Sequence, residues 1–301
     1  MPIPGLPRPY LGAPFSTAAA RADGVAKHRF RCADLEAPYR AVRAPRGSTE
    51  RLLDLCRAYA IRAGDDEFFS HVTAARLYRL PLPYGLQLRR AVDVAVFRPS
   101  HPPQVAGVIG HRISRAVPLR AVSGLAVAPP VEVWMQLGAV LGLDALIVCG
   151  DALVRRKRPL ATQDELRTAV MSAFRRPGLR KLRAALVHVR PGTDSPRETR
   201  TRLIITRAGL PEPVIGFKVF NDRGEFIGTP DLFYPKYRIA MEYEGDGHRT
   251  SVQTFNDDIE RAEQFQDAHC RYVRITRDHV DHPHRLVSRV RNALIQRGWR
   301  P

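Results

Sequence analysis

"TPDLFYPKYRIAMEYEGDGH", residues 229–248, decides how the C-terminal third of this 301-residue chain is read. Leu232, Phe233 and Tyr234 form a short apolar run, "PKY" is a turn, and "RIAMEYEG" resumes as a second run, so the stretch predicts a β-hairpin. Side chains alternate across a strand, which puts Glu242 and Glu244 on one face and Met241 and Tyr243 on the other. Asp231, behind Pro230 in an apolar strand, is costly to bury unpaired. It either pairs with Lys236 or Arg238, or joins Glu242 and Glu244 across the hairpin. Three carboxylates converging within a few ångströms repel one another unless a divalent cation offsets their charge.

Outward from the hairpin the elements fall into a legible order. "SPRETRTRLIITRAG" is expected as a helix, "EPVIGFKVF" as a strand and "EFIGTPDLFY" as a second strand. "RIAMEYEG" is the third strand, "TFNDDIERAEQFQDAH" a helix, "CRYVRIT" a fourth strand and "HRLVSRVRNALIQRGW" a closing helix. This αβββαβα order defines an α/β class.

Upstream, "STAAARADG", "STERLLDLCRAYAIRAG" and "FFSHVTAARLYRLPLP" read as helices, the second capped by Ser48 or Thr49. Small arginine-rich helices suit a winged helix-turn-helix and equally a plain structural bundle. From residue 81 the pattern shortens toward alternation and predicts several short strands. "PPVEVWMQLGAVLGLDALIVCGDALVRR" then returns to helix with Val133, Trp134 and Leu137 inward. The expected division is a helical domain at 1–80, a mixed α/β region at 81–190 and an α/β domain at 191–301, with "RPGTDSP" at 190–196 as linker.

The charge balance, 48 basic against 30 acidic side chains, points to a polyanionic partner, with nucleic acid ahead of a membrane surface. All but five of the basic residues are Arg, which GC-rich coding also produces. Residues 191–301 carry 18 basic and 16 acidic side chains, so +16 of the +18 excess lies upstream of the carboxylates. Cys32, Cys56, Cys149 and Cys270 are too scattered for a zinc knuckle or redox pair and fit a reducing cytoplasm. The apolar stretches are too short to span a bilayer.

Oxygen donors with one nearby histidine favour Mg²⁺ or Mn²⁺ over zinc. Asp231, Glu242 and Glu244 are the candidate ligands. His248, beyond Gly245 and Gly247, is either an exposed loop residue or a group that orients water or a phosphate. Glu198 completes a Ser195-x-x-Glu198 capping box, and a first-turn Glu can also point along the open end of a sheet. Asp258 and Arg261, three apart on a helix, form a surface ion pair, or else Arg261 contacts a scissile phosphate. The expected chemistry is metal-assisted phosphodiester hydrolysis.

"SPRETRTR", "TPDLFYPKYRIAMEYEGDGH", the Asp258-x-x-Arg261 helix and "RYVRIT" together resemble the endonuclease-related DUF559 family. That family is related to the very-short-patch-repair (Vsr-like) endonucleases of the PD-(D/E)XK superfamily. The resemblance covers about residues 195–279 and implies a restriction-endonuclease-like αβββαβ core, with Glu198, Asp231, Glu242, Glu244 and His248 as functional positions. It departs from the superfamily signature at Glu244, where a Lys is usual, and His248 stands where the repair relatives use histidine. "HRFRCADLEAPYRAVRAP" and "FFSHVTAARLYRLPLP" are similar to the N-terminal part of actinobacterial AbiEi-like antitoxin and regulator proteins. Two functions therefore compete: a Mg²⁺-dependent endonuclease acting on double-stranded DNA, and a DNA-binding regulator whose nuclease fold is inactive.

Overall fold

The computed structural model describes residues 5–114, 116–244 and 252–301, with side chains of the last segment described from residue 260. The chain is an α/β protein that divides into two compact units, Met1–Leu141 with Ser172–Leu179, and Gly142–Met171 with Arg180–Pro301. This grouping differs from the three segments expected at 1–80, 81–190 and 191–301. One sheet runs across residue 80, and helices from before residue 190 belong with the C-terminal part.

In the first unit, Phe15–Ser16, Val42–Pro45 and Leu35–Glu36 form an antiparallel sheet in that order. Ser16 caps the helix Thr17–Ala22, accepting from the Ala18 amide at 3.2 Å, as "STAAARADG" predicts. A five-stranded mixed sheet follows, in the order Val108–Ile113, Val92–Phe97, Phe68–Phe69, Leu125–Val127 and Arg120–Val122.

Three local expectations are corrected in this region. The helix after "STER" spans Leu52–Ala60 behind Arg51, because the Thr49 hydroxyl is spent on Glu36 at 2.6 Å. Phe68–Phe69 is a strand, and the helix spans only His71–Leu77. Flanking strands on both sides outweigh the helical spacing of "FFSHV". The long helix expected from Pro130 is two, Pro130–Leu137 and Leu143–Leu153, interrupted at Gly138 and Gly142, residues that weaken a helix interior. Val133, Trp134 and Leu137 are fully buried, as expected.

In the second unit, the sheet order is Arg271–Thr276, Ile239–Glu244, Leu232–Tyr234, Val214–Ile215. The first pair is parallel over six residues, from Ile239↔Arg271 to Glu244↔Thr276, and the other pairs are antiparallel. A parallel pair needs a long crossover, and the helix Val252–Asp267 supplies it. The sheet is covered on both faces. Ile239, Met241, Leu232, Tyr234, Val273 and Ile275 pack against the helices Pro196–Arg207 and Pro283–Gln296 through Ile205, Leu286, Val290 and Leu294. Phe233 and Ala240 face the other way, toward Phe265, Ala268 and Val219.

Two expected strands are each broken by one residue type that a ladder does not accommodate. "EPVIGFKVF" divides into Val214–Ile215 and Val219–Phe220 around Gly216, at φ +67°. "EFIGTPDLFY" divides into Phe226–Gly228 and Leu232–Tyr234 around Pro230, which has no N–H to give. Phe226–Gly228 pairs instead with Val219–Phe220 as a separate hairpin.

Helix Leu143–Leu153 is fastened to helix Pro196–Arg207 by a buried ion pair. Asp151 Oδ2 accepts from Arg202 Nη2 at 2.9 Å and from the Thr199 hydroxyl at 2.8 Å, while Oδ1 accepts from the Arg190 amide at 2.8 Å. Removing one partner of such a pair strands the other charge, which costs about 3–5 kcal/mol. The "RPGTDSP" stretch is therefore a tied connection inside this unit.

Candidate active site

The fold builds the site where the Leu232–Tyr234 strand begins and the Ile239–Glu244 strand ends. Extending the observed register places Asp231 opposite Glu242. Asp231 sits in the bend that Pro230 imposes, and its Oδ2 accepts the Tyr243 amide at 2.8 Å, a donor just past the end of the paired segment. Glu242 and Glu244 share the strand face of Ala240, and Met241 lies in the opposite core, as the alternation requires.

Glu198 approaches from the first turn of helix Pro196–Arg207. Ser195 Oγ accepts the Glu198 amide at 3.2 Å, and Glu198 Oε2 reaches back to the Asp194 amide at 2.9 Å. The capping role is therefore realised, one residue further back than in the usual box. Glu198 is also 7% exposed, and its charge acts on Asp231, so the two readings of this residue coexist.

Burial pushes the Asp231 carboxyl up to about 8, and the charges of Glu198 and then Glu242 add to the rise, against the opposing cations Arg261 and Arg156. Glu198 is raised too, chiefly by burial. The alternative pairing of Asp231 with Lys236 or Arg238 is not built: Lys236 lies over the Tyr237 ring, and Arg238 donates to the Ala268 carbonyl.

Glu242 is held at both oxygens. Arg261 Nε and Nη2 meet Oε1 at 2.7 and 2.6 Å, and the Tyr272 hydroxyl donates to Oε2 at 2.9 Å. Arg261 Nη2 also reaches the Thr229 carbonyl at 3.3 Å. Burial opposes the charge on Arg261, but the bond to Glu242 and the charges of Glu242, Tyr272 and Asp231 together outweigh it, and the pKa is raised. Arg261 thus turns inward to a carboxylate on the sheet. The side chain of Asp258 lies outside the described residues, as do Gly245, Gly247 and His248.

The expected convergence of Asp231, Glu242 and Glu244 is corrected by this geometry. Glu244 is held by Arg274 Nε on the neighbouring parallel strand, and the third acid acting on Asp231 is Glu198. Among the described residues, no three His, Cys, Asp or Glu side chains stand at the spacing of a closed metal site. The donor chemistry nonetheless fits Mg²⁺ or Mn²⁺: the acids are oxygen donors, burial and repulsion at Asp231 outweigh what Arg261 and Arg156 offset, and Glu242 Oε2, which accepts one bond from Tyr272, keeps a second lone pair.

Sequence reasoning missed three cations around the cluster. Arg156 Nε donates to Asp194 Oδ2 at 3.0 Å, and its charge acts on Glu198 and Asp231. Arg197 stacks on the Tyr243 ring with its guanidinium carbon 5.0 Å from the centroid. Arg274 pairs with Glu244. The parallel register that sets Arg274 beside Glu242 follows from the crossover helix, but nothing local in the sequence announces Arg156, some forty residues upstream of Glu198.

An α/β protein whose second unit sets Glu198, Asp231 and Glu242 around one sheet end is the description the fold and site define. Its similar relatives include two proteins described as uncharacterized, from Mycobacterium tuberculosis strains CDC 1551 / Oshkosh and H37Rv. Each is 29% identical over 219 residues, covering 70% of this chain and 77% of the relative. No family model matches the chain, and no solved structure matches it. Among the described residues, no helix is long and apolar enough to cross a membrane.

Proposed function

We propose that the chain is a cytoplasmic, Mg²⁺- or Mn²⁺-dependent endonuclease acting on double-stranded DNA, with a restriction-endonuclease-like core related to the DUF559 and very-short-patch-repair families. The observation that carries this reading is Asp231, a half-buried carboxylate whose pKa is raised by its desolvation and by the charges of Glu198 and Glu242. Neighbouring acids that raise one carboxyl this far are the electrostatic signature of a functional site, and a divalent cation relieves their repulsion. Asp231 and Glu242 would hold the ion, with Glu198 beside them. When bound, the ion supplies a polarised water and charge stabilisation at the phosphate.

The remaining work falls to the chain's own groups. The Tyr243 amide fixes Asp231, Tyr272 orients Glu242, and the Asp194 and Ser195 contacts hold Glu198 at the helix start. Arg261 and Arg156 supply positive charge facing the acids, suited to a phosphate's negative oxygens. His248 is assigned the orientation of water or phosphate.

A second reading rests on a specific contact. Arg261 already neutralises Glu242, as a residue filling a disused metal site would. This favours a DNA-binding regulator that does not cut. Nicking of supercoiled plasmid with Mg²⁺, Mn²⁺ or EDTA separates the two, using Asp231→Ala and Glu242→Ala. Metal-dependent nicking lost in both variants supports the endonuclease; salt-sensitive DNA retention without nicking, unchanged in both, supports the regulator.

A further inference from the structure

Residues 154–159, "VRRKRP", follow the helix Leu143–Leu153 and place four basic side chains in succession, Arg155, Arg156, Lys157 and Arg158. A basic run is ordinarily a solvated surface, and in an arginine-rich chain it needs a further observation to mean more. The position of Arg156 supplies one. It donates to Asp194, whose amide donates to Glu198 Oε2, so two hydrogen bonds join this loop to the carboxylate cluster. The charge of Arg156 also acts on both Glu198 and Asp231, which places it at the rim of the acids.

The rest of the loop is arranged outward. Arg155 uses its Nε on the Arg158 carbonyl at 3.2 Å, which closes the turn and leaves its terminal nitrogens out of that bond. Arg158 sits at φ +53°, a left-handed turn that holds the tight reversal. Arg156, Lys157 and Arg158 are exposed, and Lys157 and Arg158 have no acidic partner among the described residues. One arginine therefore anchors the loop to the site while its neighbours face solvent as unneutralised cations.

We infer that the loop Arg155–Arg158 is a phosphate-contacting track that guides the backbone of duplex DNA to the carboxylate cluster. The inference rests on the nucleic-acid reading above and extends it by naming the contact surface. Acidic side chains that gather around a scissile phosphate repel the rest of the polyanion, so the approach requires positive charge close by but outside the ligand set. The loop meets that requirement from a segment distant in sequence. Its contacts are to the backbone, so they carry affinity without base preference.

The test uses the full chain and a mixed-sequence DNA duplex, with the binding constant followed across salt concentration. The loop variant is R155Q/K157Q/R158Q, which spares Arg156. The control, K236Q/R271Q/R297Q, removes equal charge from the same unit, at the hairpin turn, the start of the Arg271–Thr276 strand and the end of the helix Pro283–Gln296. Each phosphate contact contributes about 0.9 to the slope of log K against log salt. The loop variant is expected to lower that slope by about 2 to 3, with the control unchanged. Equal losses in both variants, or an unchanged slope in the loop variant, overturn the inference while leaving DNA binding intact. A wild-type chain that shows no salt-dependent duplex binding overturns the inference and the underlying reading together. Circular dichroism of both variants separates loss of contact from loss of fold.

Discussion

Asp231→Asn is the substitution that most directly interrogates the carboxylate cluster. In the folded chain Asp231 ionises near 8, against an ordinary 3.8. Because the folded pKa is the higher one, the folded state holds a proton that the unfolded chain has released. The associated stability is complete below pH 4 and is lost as pH rises through about 8. Each pH unit in that window is worth about 1.4 kcal/mol, so between pH 5 and pH 8 the wild-type unit loses about 4 kcal/mol from this one group. Asparagine cannot ionise, and its amide oxygen can still accept the Tyr243 N–H. The stability of the variant relative to wild type should therefore rise by about 4 kcal/mol across that window. The chain has two tryptophans, and Trp299 packs on the core of the second unit. In a Trp134→Phe background its fluorescence during urea unfolding reports that unit. Saturating Mg²⁺ should restore wild type at pH 8 by about 2.7 kcal/mol at a hundredfold excess over Kd and leave Asp231→Asn unmoved. Parallel pH curves for the two proteins would refute the reasoning, since Asp231 would then ionise like any surface carboxylate.

Arg261→Ala removes the cation resident on Glu242. A charge-assisted bond is worth about 1.5–3 kcal/mol, so Mn²⁺ affinity by electron paramagnetic resonance should improve at least about tenfold; weaker binding would show that Arg261 organises the site instead of competing for it. In the first unit, burial and the charge of the stacked His111 press His71 down to about 3, against opposition from Asp93, with Arg176 and Arg89 adding to the fall. This depressed value gives stability that is present above pH 6.5 and lost as pH falls toward 3, about 3 kcal/mol by pH 4. His71→Asn, chosen because His71 sits at φ +46° and Asn tolerates that region, should flatten the acid limb of unfolding followed by Trp134 fluorescence. An acid limb as steep as that of wild type would rule out His71 as its source.

The α/β class and the facing of Glu242 away from Met241 were legible because both follow from short-range rules, the alternation of a strand and the order of segments. The breaks at Gly216 and Pro230 were legible in principle, since each residue disfavours a continuous ladder, but apolar spacing pulled the reading toward longer strands. What sequence could not supply was partner choice. Glu244 lies two residues from Glu242 and faces the same way, yet Arg274 holds it, and Glu198 stands closer in effect to Asp231. That choice depends on which strand lies beside Ile239–Glu244 and where a helix thirty residues earlier begins. Trp134 and Leu137 announced their burial through helical periodicity, whereas the pairing of Asp151 with Arg202 joins residues whose spacing carries no period at all.

The first unit is not finished where its main segment ends. Ser172–Leu179 return to it after residues 142–171 have gone to the second unit. On that return Arg176 pairs with Glu132 at 2.5 and 3.0 Å, and Gly178 passes so near that an added Cβ would lie 2.0 Å from the Gly138 carbonyl oxygen. During synthesis, then, the ribosome delivers the closing piece of the N-terminal unit only after the opening helix of its neighbour has emerged. The two folding reactions overlap in time instead of proceeding strictly from the N-terminus. A nascent chain stalled at residue 141 carries Glu132 without its arginine, and becomes a complete first unit only some forty residues later.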